Sequence, residues 1–181
     1  MKRFTLIIAA MAVAISCCGQ KNSKTKTLVA YFSATGVTER VANSIATATN
    51  ATLYRITPEQ PYTAADLDWT NKQSRSSVEM ADRNSRPAIV ANLENADQYD
   101  VIYIGFPIWW YTYPTIINTF LDTYKFEGKT LIPFATSGGS SINKSMTDFR
   151  LQYPNIKWRD GRLFNNSTDK DIKDWVKSNQ K

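Results

Sequence analysis

The sequence feature that most constrains the fold is a series of short apolar runs separated by amphipathic stretches, starting at residue 27. Residues 27–32, 101–106 and 130–135 are apolar almost throughout, and a polar or proline-containing loop follows each of them. Continuous apolar runs of this length are typical of parallel strands that are buried on both faces of a sheet. Residues 38–50, by contrast, carry apolar side chains at helical spacing. The domain therefore begins as strand, loop and helix.

The same alternation continues towards the C-terminus. We expect two further strands, at 51–57 and at 156–164 with an optional turn at Asp160-Gly161, and three further helices, at 115–124, 141–151 and 169–178. Strands that alternate with helices of this length indicate βαβ units. The sequence thus predicts one α/β domain over residues 27–181, built on a five-stranded parallel sheet.

One segment of this domain does not follow the alternation. Residues 58–87 form a polar stretch between the second and third predicted strands, and they contain Tyr62, Trp69 and three arginines. A weak helical pattern covers residues 64–81. A connection of this length inside a compact domain is usually functional or poorly ordered. We interpret it as an insertion, and both a lid over a binding site and a poorly ordered loop stay open.

The first 18 residues have the composition of a targeting segment. Lys2 and Arg3 precede an apolar run, residues 4–15, which has signal-peptide length and is short for a membrane span. The run leads into two adjacent cysteines, Cys17 and Cys18. This arrangement resembles a bacterial lipoprotein signal, in which the cysteine thiol is lipidated and the cysteine becomes the first residue of the mature chain.

Either Cys17 or Cys18 fits as the lipidation site, and an ordinary cleaved secretion signal or an uncut membrane anchor are the alternatives. Residues 19–26 are polar and lysine-rich, which predicts a flexible tether between anchor and domain. We therefore expect an exported protein that a lipid anchor holds at the cell envelope, on a membrane face that the sequence does not specify.

Composition excludes several classes of function. The 181-residue chain has no histidine, so histidine metal sites and Ser-His-Asp triads are ruled out, and no cysteine follows Cys18. The formal net charge is +6, and loss of the two cations Lys2 and Arg3 with the signal lowers it by two, to +4. Basic clusters do not alternate with aromatic residues as on a nucleic-acid surface, so we expect no nucleic-acid partner.

The loop after the first strand is suited to binding a phosphate group. It reads Ser33-Ala34-Thr35-Gly36-Val37-Thr38 and opens a helix, where free backbone N–H groups and the helix dipole favour an anion. The hydroxyl groups add donors, and Gly36 lets the backbone approach closely. No lysine follows as in a Walker motif, which favours a phosphate that is bound rather than transferred. The alternative is a plain turn in which Thr38 only caps the helix.

Two further loops follow the third and fourth strands. Residues 107–114 hold four aromatic side chains between two prolines and predict a wall for a flat ring, with a hydrophobic plug or partner interface as the alternative. Residues 136–141 contain Gly138 and Gly139, whose exposed backbone can form hydrogen bonds with the edge of a ring. In a doubly wound sheet these three loops meet at the switch point. A phosphate, a ring face and a ring edge are the three parts of flavin mononucleotide (FMN).

These loops carry a specific resemblance. Residues 33–38 match the flavodoxin phosphate-loop pattern of Ser/Thr, any residue, Thr, Gly, any residue, Thr. From Gly105 through residues 119–121 and 126–129 to Ser140, the chain resembles the flavodoxin-like family of short bacterial proteins, and the similarity runs from about Thr27 to the C-terminus. The resemblance implies a doubly wound sheet of strand order 2-1-3-4-5, noncovalently bound FMN and redox activity.

The resemblance also assigns binding residues by position. The phosphate would be bound by Ser33, Thr35, Gly36, Val37 and Thr38. The isoalloxazine would pack on Pro107, Ile108, Trp109 and Trp110, and its pyrimidine side would be lined by Thr136, Ser137, Gly138, Gly139 and Ser140. No side chain is predicted as an essential acid or base, and no metal ligands are predicted.

The chain departs from the family pattern in two respects. Tyr111 stands where relatives commonly have a glycine that permits a peptide flip on flavin reduction, and a positive φ costs roughly 1 kcal/mol more without glycine. We therefore expect two-electron chemistry to be favoured over separate one-electron steps. The family's electron carriers are strongly acidic and dock on basic partners, which the basic mature chain does not match.

Two functions from different classes fit these observations. The first is an FMN-dependent electron carrier or reductase of a small acceptor such as a quinone. The second is a noncatalytic cell-surface binding protein that retains the fold and has lost the cofactor. The electron donor, the acceptor and the oligomeric state are not specified by the sequence.

Overall fold

The structure is a computed structural model that describes residues 25–179. The predicted signal segment with Cys17 and Cys18, and most of the predicted tether, lie outside the described residues. Within residues 25–179, no helix combines the length and the apolarity that crossing a membrane requires.

Within the described residues, six parallel strands form one sheet. Their bounds are β1 Thr27–Tyr31, β2 Thr52–Arg55, β3 Val101–Pro107, β4 Thr130–Thr136, β5 Lys157–Trp158 and β6 Arg162–Leu163. The order is β2-β1-β3-β4-β5, and β6 also pairs with β4. The predicted strand order 2-1-3-4-5 is confirmed, and the chain reverses its direction of progress across the sheet between β1 and β3.

The prediction of a single fifth strand was wrong in detail, because two short strands share the fifth position. β5 pairs with Thr130 and Leu131 of β4, and β6 pairs further along with Phe134 and Ala135. Gly161 lies between β5 and β6, and an added Cβ there would stand 2.8 Å from atoms of the Ile142 and Met146 side chains. The chain thus leaves the ladder at the predicted turn, passes close beneath other side chains and returns to the ladder.

Five α-helices flank the sheet in the described part of the chain. They are α1 Val37–Thr49, α2 Arg75–Ala81, α3 Ile116–Tyr124, α4 Asn143–Gln152 and α5 Asp169–Asn179, and a 3-10 turn covers Ala96–Gln98. The weak helical pattern at 64–81 predicted too long a helix. Only its last seven residues are helical, from the N-cap Ser74, whose hydroxyl accepts from the Ser77 backbone N–H.

Alternating side chains of the strands build two apolar cores, one on each face of the sheet. Along β1, Leu28 and Ala30 face the core that contains α3 and α4, and Val29 and Tyr31 face the core that contains α1 and α5. Both faces are therefore covered, which explains why β1, β3 and β4 are apolar almost throughout.

Because all strands are parallel, the loops after β1, β3 and β4 leave the same edge of the sheet. Backbone hydrogen bonds hold these strand ends together, from Phe32 N–H to Gly105 O at 2.9 Å and from Ile108 N–H to Thr136 O at 2.8 Å. The three loops that were selected from the sequence are thus neighbours at the switch point.

Candidate functional site

The loop after β1 opens helix α1 through a left-handed glycine. Gly36 is the N-cap residue with φ 87° and ψ −14°, so the predicted alternative with Thr38 as the cap was wrong. An added Cβ on Gly36 would meet nothing within 4 Å. Glycine is therefore favoured here by the positive φ of the backbone and not by a lack of space. The Ser33 hydroxyl accepts from the Gly36 N–H at 3.1 Å. Ser33 and Thr38 are buried, and Thr35 and Val37 are exposed.

The first turn of α1 presents unused hydrogen-bond donors. Within residues 25–179, the backbone N–H groups of Thr35, Val37 and Thr38 have no protein acceptor. Such groups carry the positive end of the helix dipole and form a ready anion site. Behind the loop, Arg55 Nη2 donates to Ser33 O at 3.4 Å and adds positive charge.

The loop after β3 makes a two-residue hairpin turn. Trp109 and Thr112 exchange two backbone hydrogen bonds, at 2.9 and 3.0 Å, and the two residues between them, Trp110 and Tyr111, have φ values of 43° and 70°. A positive φ costs a residue other than glycine on the order of 1–2 kcal/mol. Tyr111 thus adopts the strained conformation that a glycine takes most easily. The Trp110 ring is 40% exposed and the Tyr111 ring 69% exposed.

Trp109 is one of three aromatic rings that pack against one another. Its ring meets Phe32 edge-on at 5.6 Å and Tyr62 at 5.4 Å between centroids, and Phe32 and Tyr62 are 5.6 Å apart. The Tyr62 hydroxyl donates to Glu79 Oε2 at 2.6 Å. Burial and this hydrogen bond raise the pKa of Tyr62, so its hydroxyl stays a donor over the physiological range.

The loop after β4 is joined to the loop after β1 by a buried contact. Thr136 Oγ1 and Thr38 Oγ1 are 2.8 Å apart. The Ser137 hydroxyl accepts from the backbone N–H groups of Gly139 and Ser140, at 3.1 and 2.7 Å. The loop is therefore closed by its own serine, in the manner of a capped turn.

The three loops line one cavity of about 520 Å³, a volume typical of small-molecule sites. Nine predicted binding residues line it: Ser33, Thr35, Thr38, Pro107, Ile108, Trp109, Trp110, Thr136 and Ser140. Five others lie in the same loops but outside the lining, namely Gly36, Val37, Ser137, Gly138 and Gly139. The structure thus brings the three loops together at one site.

The insertion contributes lining residues that sequence reasoning missed. Leu67, Trp69 and Ser76 complete the cavity wall, and the Trp69 side chain is 75% exposed at its edge. An ion pair between Arg75 Nε and Glu79 Oε1, at 2.6 Å, lies beside Tyr62 and fixes this part of the insertion. In the sequence, the one signal for this contribution to the cavity was Trp69, a tryptophan in an otherwise polar segment. Whether the segment acts as a lid stays a prediction.

Among residues 25–179, no acidic or basic side chain lines the cavity. A phosphate there would be bound by backbone N–H groups, hydroxyl groups and the helix dipole. Beneath the loop, burial and a hydrogen bond to Glu39 raise the pKa of Tyr31 to about 12, so this tyrosine adds no negative charge near neutral pH.

The family follows from comparison with known proteins. The flavodoxin family model matches residues 26–179, which is most of the chain. The chain belongs to the flavodoxin family. A search among functionally curated proteins gave no significant match.

Solved structures agree with this assignment. A candidate flavoprotein from Bacteroides eggerthii is 54% identical, with 85% of this chain and 97% of that chain covered and a TM-score of 0.82. One from Bacteroides uniformis is 55% identical, with 84% and 98% covered and a TM-score of 0.82. A Lactobacillus acidophilus flavoprotein in complex with FMN is 22% identical, with 83% and 98% covered and a TM-score of 0.66, and supports the fold.

The residues at the site fit the family's cofactor. Free N–H groups at Thr35, Val37 and Thr38 suit the phosphate, the apolar and aromatic side chains on the β3 loop suit the ring, and the volume is large enough for both. The predicted family, fold class and FMN cofactor are confirmed by the family assignment. The contacts of individual residues with FMN stay predictions.

Proposed function

We propose that this protein is an FMN-dependent redox protein that transfers electrons to a small acceptor, such as a quinone, at the cell envelope. One observation supports this proposal most directly. Around a single cavity at the switch point of the sheet lie the N-terminus of α1 with its free N–H groups, the aromatic turn after β3 and the glycine-rich loop after β4. FMN, when bound, supplies the electron-transfer chemistry, and the protein supplies position and polarity.

Each loop has a separate task in this proposal. The N–H groups of Thr35, Val37 and Thr38 bind the phosphate together with the Ser33 and Thr35 hydroxyls. Trp109, which is fixed by its neighbouring rings, bounds the ring system, while the more exposed Trp110 leaves an open side for an acceptor. The β4 loop offers backbone groups to the polar edge of the ring.

The lining also bears on the acceptor. The described part of the chain contributes no charged side chain to the cavity wall, and Trp69 and Tyr111 lie exposed at its edge. The site therefore suits a flat, largely apolar molecule. A quinone has this shape and accepts two electrons.

The proposed position of the FMN phosphate can be tested by removing one hydroxyl group, that of Thr35. We expect Thr35→Val to raise the dissociation constant for FMN about tenfold, because one hydrogen bond to a charged group is lost. Thr47→Val is the matched control, since Thr47 lies on α1 away from the cavity and its hydroxyl donates to Asn43 O. Equal affinities in both variants would contradict this placement of the phosphate.

Redox function is tested on the FMN-loaded protein. Chemically reduced protein is mixed anaerobically with naphthoquinones, and nicotinamide donors are screened separately for reduction of the flavin. We expect the flavin absorbance to return within the mixing experiment when a suitable acceptor is present. Colourless protein that takes up no added FMN would instead support the noncatalytic binding protein.

The envelope location is a proposal from the N-terminal sequence. The positively charged start, the apolar run at 4–15 and the adjacent Cys17 and Cys18 support export followed by lipidation. Expression of the full chain with a labelled fatty acid tests it. We expect the wild type to be labelled. One of the two single variants, Cys17→Ser or Cys18→Ser, should lose the label and so identify the lipidated cysteine, and the double variant should lose it as well. An unlabelled wild-type chain would leave secretion by an ordinary signal as the better account.

A further inference from the structure

A second cavity, of about 420 Å³, lies on the other side of the Trp110 turn. Trp110 lines both this cavity and the one assigned to FMN, so the two are adjacent. The remaining walls come from the end of α2, the turn and α4, and include Met80, Arg83, Thr112, Lys144, Asp148 and Leu151. In contrast to the first cavity, this one has charged walls.

Arg83 is the distinctive residue of this second cavity. Its Nη1 donates to Tyr113 O at 3.0 Å and its guanidinium lies 4.9 Å from the Tyr113 ring centroid. Its Nη2 is buried and has no acceptor among residues 25–179, and no carboxylate in that range forms an ion pair with Arg83. The neighbouring Arg75 and Arg86 are each paired with a carboxylate at 2.6 Å.

The other charges do not neutralise Arg83. Lys144 Nζ lies 2.9 Å from both carboxylate oxygens of Asp148, and Thr112 Oγ1 donates to Asp148 Oδ2 at 2.7 Å. The two cations and one carboxylate that line the cavity give it a net charge of +1. A partly desolvated guanidinium without a counter-ion attracts an anion more strongly than a hydrated one.

Apolar surface accompanies this positive charge. The Leu151 side chain is 77% exposed, and Trp110 and Met80 line the same cavity. Because Lys144, Asp148 and Leu151 follow one another at helical spacing, a single face of α4 presents both the charged groups and the apolar group. The cavity therefore combines an anion site with a surface for a ring.

We propose that this second cavity binds an aromatic anion, with its ring against Trp110 and its anionic group held by Arg83 and Lys144. The molecule is a ring-bearing carboxylate or sulfonate. The binding of this molecule does not depend on the proposed redox function. Adjacency through Trp110 places it next to the cofactor cavity.

The test compares a charged ligand with a neutral one of the same ring. Binding of 2-naphthalenesulfonate and of 2-naphthalenemethanol is measured by titration calorimetry at low salt, with the full chain, with and without added FMN. We expect the wild type to prefer the sulfonate about tenfold or more, as for one charge-assisted hydrogen bond. FMN occupies the first cavity and leaves this preference unchanged.

Three variants assign the preference to this cavity. Arg83→Met reduces it to within about twofold, since the unpaired cation is lost. Asp148→Asn removes the one carboxylate that residues 25–179 contribute to the lining and tightens sulfonate binding about threefold to fivefold, a gain that misfolding cannot produce. Arg150→Met is the control, because Arg150 pairs with Asp160 at 2.7 Å and does not line the cavity, and it leaves the preference unchanged.

Several results would overturn the inference. They are no measurable sulfonate binding, equal binding of the two ligands by the wild type, an unchanged preference in Arg83→Met, or weaker binding in Asp148→Asn. Failure of the proposed redox function is separate, because protein that takes up no FMN can still discriminate between the two ligands.

Discussion

The hydroxyl pair Thr38–Thr136 predicts a measurable coupling between two loops of the cofactor site. The two Oγ1 atoms are 2.8 Å apart, and the residues are only 1% and 5% exposed. Thr38→Val keeps the side-chain shape but removes one hydrogen bond and leaves the Thr136 hydroxyl without a protein partner in the described chain. A buried hydroxyl left in this way costs about 1–3 kcal/mol, and we expect about 1–2 kcal/mol here because Thr136 lines a cavity that admits water.

The double variant makes the reasoning refutable. Thr136→Val alone should cost about the same as Thr38→Val, whereas both substitutions together replace the pair by methyl groups and should cost less than about 1 kcal/mol. The coupling energy of this cycle is then on the order of 1 kcal/mol or more. Strict additivity of the two single losses would refute the hydrogen bond as an energetic link.

The assay is urea unfolding of the FMN-free protein followed by tryptophan fluorescence, with thermal unfolding as a check. For a chain of this size each kcal/mol corresponds to about 2–4 °C in Tm, so a loss of about 1–2 kcal/mol in Thr38→Val should lower Tm by roughly 2–8 °C. Thr47→Val on the exposed side of α1 serves as the control for valine in this helix.

Three further predictions concern backbone strain, packing and pH. Tyr111→Gly should stabilise the protein by about 1 kcal/mol in urea unfolding, because φ 70° suits glycine. Gly105→Ala should destabilise it by about 1–3 kcal/mol or more, because the added Cβ would lie 2.1 Å from a Phe134 ring atom. Burial raises the pKa of Tyr31 to about 12. The unfolded chain therefore releases this proton first, and stability that is fully present below about pH 10 should fall as pH rises towards 12, by on the order of 2 kcal/mol.

Each of these has a control within the chain. Lys125→Gly, at φ 49° far from the cavity, should give a similar gain if relief of strain is the cause. Gly138→Ala, where a Cβ meets nothing within 4 Å, should be nearly neutral. Tyr31→Phe should have a shallower loss of stability above pH 10 than the wild type. A destabilised Tyr111→Gly, a neutral Gly105→Ala or an unchanged alkaline slope in Tyr31→Phe would each contradict its prediction.

The central strands could be predicted because burial on both faces of the sheet produces continuous apolar runs in the sequence. β1, β3 and β4 lie between two covered faces, so nearly every position is apolar and the runs are easily recognised in the sequence. β2 lies at the edge of the sheet and has three exposed residues among its four, which is why the predicted strand 51–57 was too long. The Asp160-Gly161 pair marked a turn in the fifth strand, but the separate pairing of β5 and β6 with β4 depends on tertiary contacts such as the close approach around Gly161.

The meeting of the three loops at the candidate site was predictable to a similar extent. Loops that follow strand ends can be located once the strands are known, and the topology then brings them together. The contribution of Leu67 and Trp69 could not be foreseen, because the insertion is positioned by contacts between side chains distant in sequence, such as the Tyr62 hydroxyl with Glu79. The second cavity likewise depends on how α2 and α4 lie relative to the Trp110 turn.

The central claim is that the turn from Ser33 to Thr38 binds the phosphate of FMN at this site. Titration of the FMN-free protein with FMN and with riboflavin, which lacks the phosphate, tests it most directly. The account predicts one FMN per chain and at least about hundredfold weaker binding of riboflavin, because several hydrogen bonds to a charged group are lost. Equal affinity for both flavins, or no uptake of either, would contradict it.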